Sequence, residues 1–391
     1  MGNRVHDNTI TWTCVSTSLP ASTPPPGGAH VINHAGSIFL WGVGSQDDIS
    51  TQTGPSALWM SDVGDVNSWN PLNQAIVGYG DGQIAMGGIS MSIAEAGIPP
   101  YGALVLFKNF STYQMLGTFG ASNFELVAAR TSMGCVAPRS IQYVYGIGIF
   151  RMTHLGIAIF DGTRDTLISD PIRPYIFGGE EDIIPVDWTQ IGTCWGSISV
   201  NPPMYMIACP LPGTNGQLSR IFLYDILLKA WSVVDLASNI SCLTQVLSEG
   251  NQPTLYMGGA SDGAVRTWFT GQTNWDQNFS NVPISWSFET PEIYVNPSQR
   301  MYFKWGFIRT RELPASLSCT VFLGLDNQNV SNPNIPSYPF GSKLISGQYQ
   351  FNINRKAYSA YAKISGTGFT RINAIDWHVL PQPAGTVGKR Q

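Results

Sequence analysis

The sequence predicts an all-β chain: a β-propeller followed by a C-terminal antiparallel, sandwich-like β-rich segment. Three observations carry that expectation. Helical periodicity is scarce, while short runs rich in Ile, Val, Phe, Tyr and Trp, each closed by Gly, Asn, Asp or Pro, occur throughout. Glycine (41) and proline (26) are abundant, as a chain of many tight turns requires. A pattern also recurs: an apolar strand, a short polar or glycine-bearing turn, and a second strand ending in an acid and glycine or in a tryptophan.

Residues 1–29 hold a first strand candidate, NTITWTCVS, and a proline and glycine linker, STPPPGGA. Residues 30–283 hold the blades. The hairpin pattern begins with SIFLWG and SALWMSD, whose connecting loop is long. It continues as GALVLFKNFSTYQMLG (102–117), GIGIFRMTHLGIAIFDG (146–162), RIFLYDILLKAWSVVD (220–235) and TLYMGGASDGAVRTWFTG (254–271). The intervals vary around the ~40 to 50 residues of a propeller blade. Each hairpin is apolar on both faces, and radial stacking buries both while leaving only short edges. From 284 to 380 the texture changes to longer alternating segments, among them ISWSFETPEIYV, RMYFKWGFIRTREL and TRINAIDWHVL. These read as an antiparallel sheet or small sandwich, either a separate domain or one that closes the propeller. Residues 381–391 read as a frayed tail.

Charged residues make up only 12% of the chain, against roughly 25% in an ordinary soluble protein. Long-lived assembly through poorly charged flanks is the economical explanation. A net charge of −4 supplies no basic stripe for sequence-specific nucleic-acid binding, although it suits a wall past which DNA slides without sticking. The six cysteines, at 14, 135, 194, 209, 242 and 319, include no C-x-x-C, so metal-ribbon and redox motifs are absent and buried free thiols are expected. The start, MGNRVHDNTITW, lacks the pattern of a secretory signal, and no apolar run approaches the ~18 residues of a membrane helix. The chain therefore reads as soluble and made in the cytoplasm, with no membrane segment.

The candidate site residues are mostly structural turns. In SDVGDVNSW, Asp62 is expected to cap backbone N–H groups beside Asp65, Gly64 to supply positive φ, and Trp69 to pack between blades. Asp161-Gly162 and Asp262-Gly263 read as hairpin turns and not as calcium loops, because no dense acid cluster surrounds them. SDVGDVNSW is close to the S-x-D-x-G-x-T-W turn of sialidase-type propellers but out of register with it, and no set of arginines with a Tyr and Glu pair stands out for glycoside chemistry. Glu180, Glu181 and Asp182 read as a solvated turn or as acids lining a passage and repelling phosphates. His30 and His34 share a face of one strand and do not converge on a metal. Cys135, in SMGCVAPRS, has no base beside it, and that segment reads as a turn in which Arg139 makes a local ion pair or carbonyl anchor. No G-x-S-x-G, Walker loop or H-E-x-x-H occurs. No catalytic, cofactor or metal site is expected, and the chain reads as a non-enzyme.

Five elements in order carry a resemblance: Ser61 to Trp69 with Asn70, Gly80-Asp81-Gly82, Leu104 to Tyr113, Gly134 to Ser140, and Gly156 to Gly162. Together with FETPEIYVNPSQRMYFKWGFIR and the late SGTGFTRINAIDWHV, they make the chain similar to the nozzle or tail-hub (tail tubular B-like) proteins of short-tailed double-stranded DNA phages, podoviruses. The likeness spans most of residues 56–380. It implies a propeller subunit in a six-fold homo-oligomeric ring below the portal and adaptor, located in the virion tail. There the ring would retain packaged DNA, bind the tail needle or plug and the fibres or spikes, and pass DNA during ejection. The rival expectations are a virion propeller that binds or degrades carbohydrate, and a cellular propeller scaffold that recognises proteins.

Overall fold

ALVLFK is apolar at every position before its terminal lysine, and that fixes where the strand goes. All six residues of Ala103–Lys108 are buried, and they divide between two cores: Leu104 and Leu106 on one side, Val105 and Phe107 on the other. A strand of period two that is apolar on both faces needs a packed layer on each side.

The computed structural model describes residues 27–48, 50, 53–66, 68–69, 73–91, 102–117, 125–181, 183–247, 253–268, 274–277, 280–283, 285–294, 301–310, 316–324, 338–339, 348–367 and 372–380. The expected strand NTITWTCVS and the tail 381–391 lie outside them. The fold is all-β, built of antiparallel sheets. Compact units divide at Met1–Trp268 and Phe269–Gln391.

In the first unit, four sheets follow one another as meanders. Sheet 1 is His30–His34, Ser37–Asp48, Thr53–Met60 and Gln74–Ile76. Sheet 2 is Ala85–Met91, Ala103–Lys108, Thr112–Leu116 and Glu125–Ala128. Sheet 3 is Gln142–Val144, Gly148–Thr153, Gly156–Phe160 and Asp165–Leu167. Sheet 4 runs Trp195–Ser199, Met204–Pro210, Leu218–Asp225, Ala230–Leu247, Pro253–Gly259 and Val265–Trp268. Its strand Ala230–Leu247 serves two meanders. Ala230 to Asp235 pairs back to Arg220 through Asp225, Ile240 pairs both back to Leu218 and forward to Gly259, and Cys242 to Leu247 pairs forward to Pro253 through Gly258, with register shifts where the partners change.

The first strands of these meanders stand beside one another in chain order: His30–His34 against Ala85–Met91, that strand against Gln142–Val144, then Trp195–Ser199, then Ala230–Leu247. Between sheets 1 and 2, Phe39, Trp41 and Leu58 meet Leu104, Leu106 and Met115. Between sheets 2 and 3, Val105 and Phe107 meet Ile149 and Phe160. Between sheets 3 and 4, Phe150, Met152 and Ile157 meet Tyr205, Ile207 and Phe222, with the Phe150 and Tyr205 rings stacked at 4.8 Å. Each fully buried Phe or Leu contributes about 1.5–3 kcal/mol of transfer free energy, so every interface is held chiefly by the hydrophobic effect.

In the second unit, Ser359–Thr367 pairs with Ser285–Glu289, Ile293–Tyr294 and Ser316–Gly324, and Ser316–Gly324 also pairs with Tyr338–Pro339. Met301–Thr310 pairs with Gln348–Ala357 and Ile372–Leu380 in a three-stranded sheet. Phe303 and Ile308 from one sheet and Val321, Ala362 and Ile364 from the other share a single core, the arrangement of a small sandwich. The hairpin Asn274–Gln277 and Ser280–Pro283 belongs to this unit, whereas the sequence texture changes only near 284. No helix among the described residues is long and apolar enough to cross a membrane.

Candidate functional site

The turn residues expected from sequence do form turns, by differing means. Gly64 has φ +79 and donates its N–H to Gly36 O at 2.9 Å. Asp62, expected to cap backbone N–H groups, instead accepts from the Ser68 hydroxyl at 2.6 Å and the Asn73 amide at 3.0 Å, so it ties the two ends of a longer loop. Its own backbone bridges Asp65. Trp69, expected between blades, is half-buried, and its indole N–H donates to Val66 O of the same loop at 2.9 Å.

Asp161 Oδ1 accepts from the backbone N–H groups of Thr163 and Arg164, both at 2.8 Å, while Gly162 takes φ +103. Partial burial opposes ionisation there, but these bonds, with those from the Thr163 hydroxyl and the Arg164 guanidinium, hold the Asp161 carboxyl below its ordinary value. Asp262 is likewise held low by Arg266 and by the Ala264 N–H, and Gly263 takes φ +65. The same device recurs at Asp225, whose Oδ1 accepts from Leu227 N–H at 2.9 Å and Leu228 N–H at 2.8 Å.

A second set of residues, missed by the sequence reading, is more consequential. Sheets 2, 3 and 4 each bury one cation on a strand, and each cation reaches the segment that joins its sheet to the one before. Lys108 Nζ donates to Gly78 O at 2.9 Å, to both oxygens of Asp81 at 2.8 Å, and to Ser56 Oγ of sheet 1 at 2.9 Å. Arg151 donates to Gly134 O at 2.9 Å and Met133 O at 3.1 Å, pairs with Asp165 at 2.7 Å, and lies 4.5 Å from the Phe107 ring of sheet 2. Arg220 donates to Ile184 O, pairs with Asp235 at 2.5 Å across the strands, and lies 5.2 Å from the Tyr175 ring. The signal in the sequence is a lone cation inside an apolar run: LVLFK, GIFRM, LSRIF.

The segment Gly134 to Ser140 is where three sheets are tied. Cys135 N–H donates to Lys108 O at 2.8 Å and Val136 N–H to Met152 O at 2.9 Å, while Tyr205 donates its hydroxyl to Ser140 O at 2.9 Å. Gly134 is required by contact: a Cβ there would stand 2.0 Å from Lys108 O. Arg139, read from sequence as an ion pair or carbonyl anchor, lies 4.8 Å from the Trp195 ring. Burial pushes the Cys135 thiol up to about 11, consistent with an inert core thiol and not a nucleophile. Cys194 and Cys209 are also buried free thiols, and burial raises Cys194 further.

His30 and His34 share one face of their strand and both reach sheet 2, His30 Nε2 to Ala85 O at 3.0 Å and His34 Nδ1 to Ser90 Oγ at 2.8 Å. Burial lowers the pKa of both. Glu180 and Glu181 are exposed in a turn after Gly178 and Gly179, and Asp182 lies outside the described residues. Among the described residues no cluster of three His, Cys, Asp or Glu could hold a metal ion.

Compared with known proteins, the chain matches no family model and no characterised protein.

Proposed function

We propose that this chain is a non-enzymatic structural subunit of a podovirus-like virion, forming the distal tail conduit as a ring of propellers. One observation carries the reading: successive meanders, each packed against the next through a shared apolar core, whose first strands stand side by side in chain order, which is the local arrangement of propeller blades. The placement of the sequence elements behind the resemblance adds support. Asp81 and Lys108 form one inter-sheet tie, Gly134 to Ser140 another, Ser61 to Trp69 builds a turn, and Gly156 to Gly162 is a strand that runs into one. A conduit subunit must keep its shape while DNA under pressure passes it, and ties from each sheet to the preceding linker serve that need. In this reading the chain binds copies of itself in a six-fold ring, the adaptor and portal complex, the needle or plug, and fibres or spikes. DNA passes without specific binding.

The test is native mass spectrometry with negative-stain imaging of the recombinant protein, alongside proteomics of purified particles. Six-fold rings with a central hole, and the chain in particles at a stoichiometry of a ring, are expected. Monomers at every concentration together with absence from particles would refute the proposal. Glu180 and Glu181 are the described candidates for channel-facing acids. Lysine at both positions, and at Asp182, is expected to slow ejection, and normal ejection by such particles would remove that role.

A further inference from the structure

We infer that the cavity bounded by the first strands of sheets 3 and 4 and by the later part of Ala230–Leu247 binds a neutral, hydroxyl-rich ligand, a pyranose sugar. The cavity has a volume of about 750 Å³, within the roughly 300–1,000 Å³ range of small-molecule sites. Its wall combines the rings of Tyr145 and Trp195 and aliphatic side chains such as Val144 and Leu243 with the neutral polar groups of Ser197, Ser199, Thr244 and Gln245. No Asp, Glu, Lys, Arg or His lines it. A phosphate, a carboxylate or a nucleic-acid backbone would enter without a counter-charge, which disfavours all three. A purely apolar ligand would leave the serine, threonine and glutamine groups facing it without partners. A sugar satisfies both conditions, since it offers hydroxyls to the polar groups and C–H faces to the rings.

The wall is also set in advance. Arg139 lies 4.8 Å from the Trp195 ring centre and restrains the indole. The side-chain amide of Gln142, at the edge of the cavity, donates to Gly196 O at 3.0 Å and links the two first strands. Ser197 and Ser199 are two residues apart on one strand, so their hydroxyls face the same way at a spacing of about 7 Å. Pre-arranged groups lose less freedom on binding than mobile ones. Tyr145 is 79% exposed, so its ring meets a bound ligand without being part of the core.

The test uses the full chain and four probes: the methyl glycosides of glucose, galactose and mannose, and N-acetylglucosamine. Saturation-transfer NMR and tryptophan fluorescence read binding, with N-acetylneuraminic acid as the charged control. Saturable binding of at least one neutral probe is expected, with the acid failing to compete. Tyr145→Ala, a surface change, is expected to weaken that binding by about tenfold through loss of one aromatic face. Ser199→Val is expected to weaken it without altering the melting profile by more than a few degrees. Failure of all four probes against folded protein would overturn the assignment, as would binding that survives both variants unchanged. The outcome is separate from ring formation, since this cavity lies within one chain.

Discussion

Asp165→Ala is the sharpest probe of the inter-sheet ties. Arg151 and Asp165 are both buried, with side-chain exposures of 0% and 2%, and the guanidinium Nη2 contacts both carboxylate oxygens, at 2.7 and 2.8 Å. Removing the carboxylate leaves a buried guanidinium with two backbone carbonyls and no counter-charge, and Arg151 Nη1 already lacks a hydrogen-bond partner. Breaking a buried pair in this way costs about 3–5 kcal/mol. At about 2–4 °C per kcal/mol for a unit of this size, the melting midpoint should fall by roughly 6–20 °C. Urea unfolding followed by tryptophan fluorescence measures the cost, and Arg151→Met, alone and combined with Asp165→Ala, completes a double-mutant cycle. The double variant removes both charges but orphans the Gly134 carbonyl, at about 1–3 kcal/mol, while the Met133 carbonyl keeps its bond from the Thr112 hydroxyl. It should still be less destabilised than the sum of its single variants, by about 2 kcal/mol. An Asp165→Ala cost under about 1 kcal/mol, or strict additivity in the cycle, would refute the claim that this pair is a coupled tie.

Three further outcomes are expected. His34 is buried neutral with its pKa pulled below 6.5, so the unfolded chain binds the extra proton first; its contribution to stability is complete above about pH 6.5 and is lost as pH falls through the lower folded value. Melting scans from pH 7.5 to 5 should show a decline that His34→Gln flattens. Gly134→Ala puts a Cβ 2.0 Å from Lys108 O and should cost more than Gly64→Ala, where space is open and only the positive φ resists, at about 1–2 kcal/mol; paired urea curves decide the order. Iodoacetamide should leave Cys135, Cys194 and Cys209 unmodified in the native protein and alkylate all three in denaturant, as read by peptide mass spectrometry, because they are buried.

Much of the sheet structure was legible because its signal is local. ALVLFK and GIFRMT announce strands as short apolar runs bounded by turn residues, and the lack of a polar face in ALVLF says that layers lie on both sides of that strand. Asp161-Gly162 and Asp262-Gly263 were legible as turns because Asp and Gly carry their turn chemistry within four residues. The Asp62 loop was harder: its carboxylate chooses the side chains of Ser68 and Asn73, and those residues approach it only once sheet 1 has folded. The cation ties were half legible: a lone cation inside an apolar run marks Lys108, Arg151 and Arg220, but their partners were hidden for the same reason. Lys108 meets Ser56 across 52 positions and Gly78 across 30, distances set by how successive meanders stack and not by spacing along the chain. The neutral cavity was hidden because its wall draws on three strands from separate stretches of sequence.

The strand Ala230–Leu247, shared between two meanders, has a mechanical meaning. Elsewhere among the described residues of the first unit, force travelling along the chain from one meander to the next must cross a linker that is not itself a strand of both sheets. At this one crossing it meets continuous extended backbone bonded at both ends, already near its full length. Pulling there shears many ladder bonds together and takes up no slack. In single-molecule pulling, the two meanders that share this strand should therefore yield as one event.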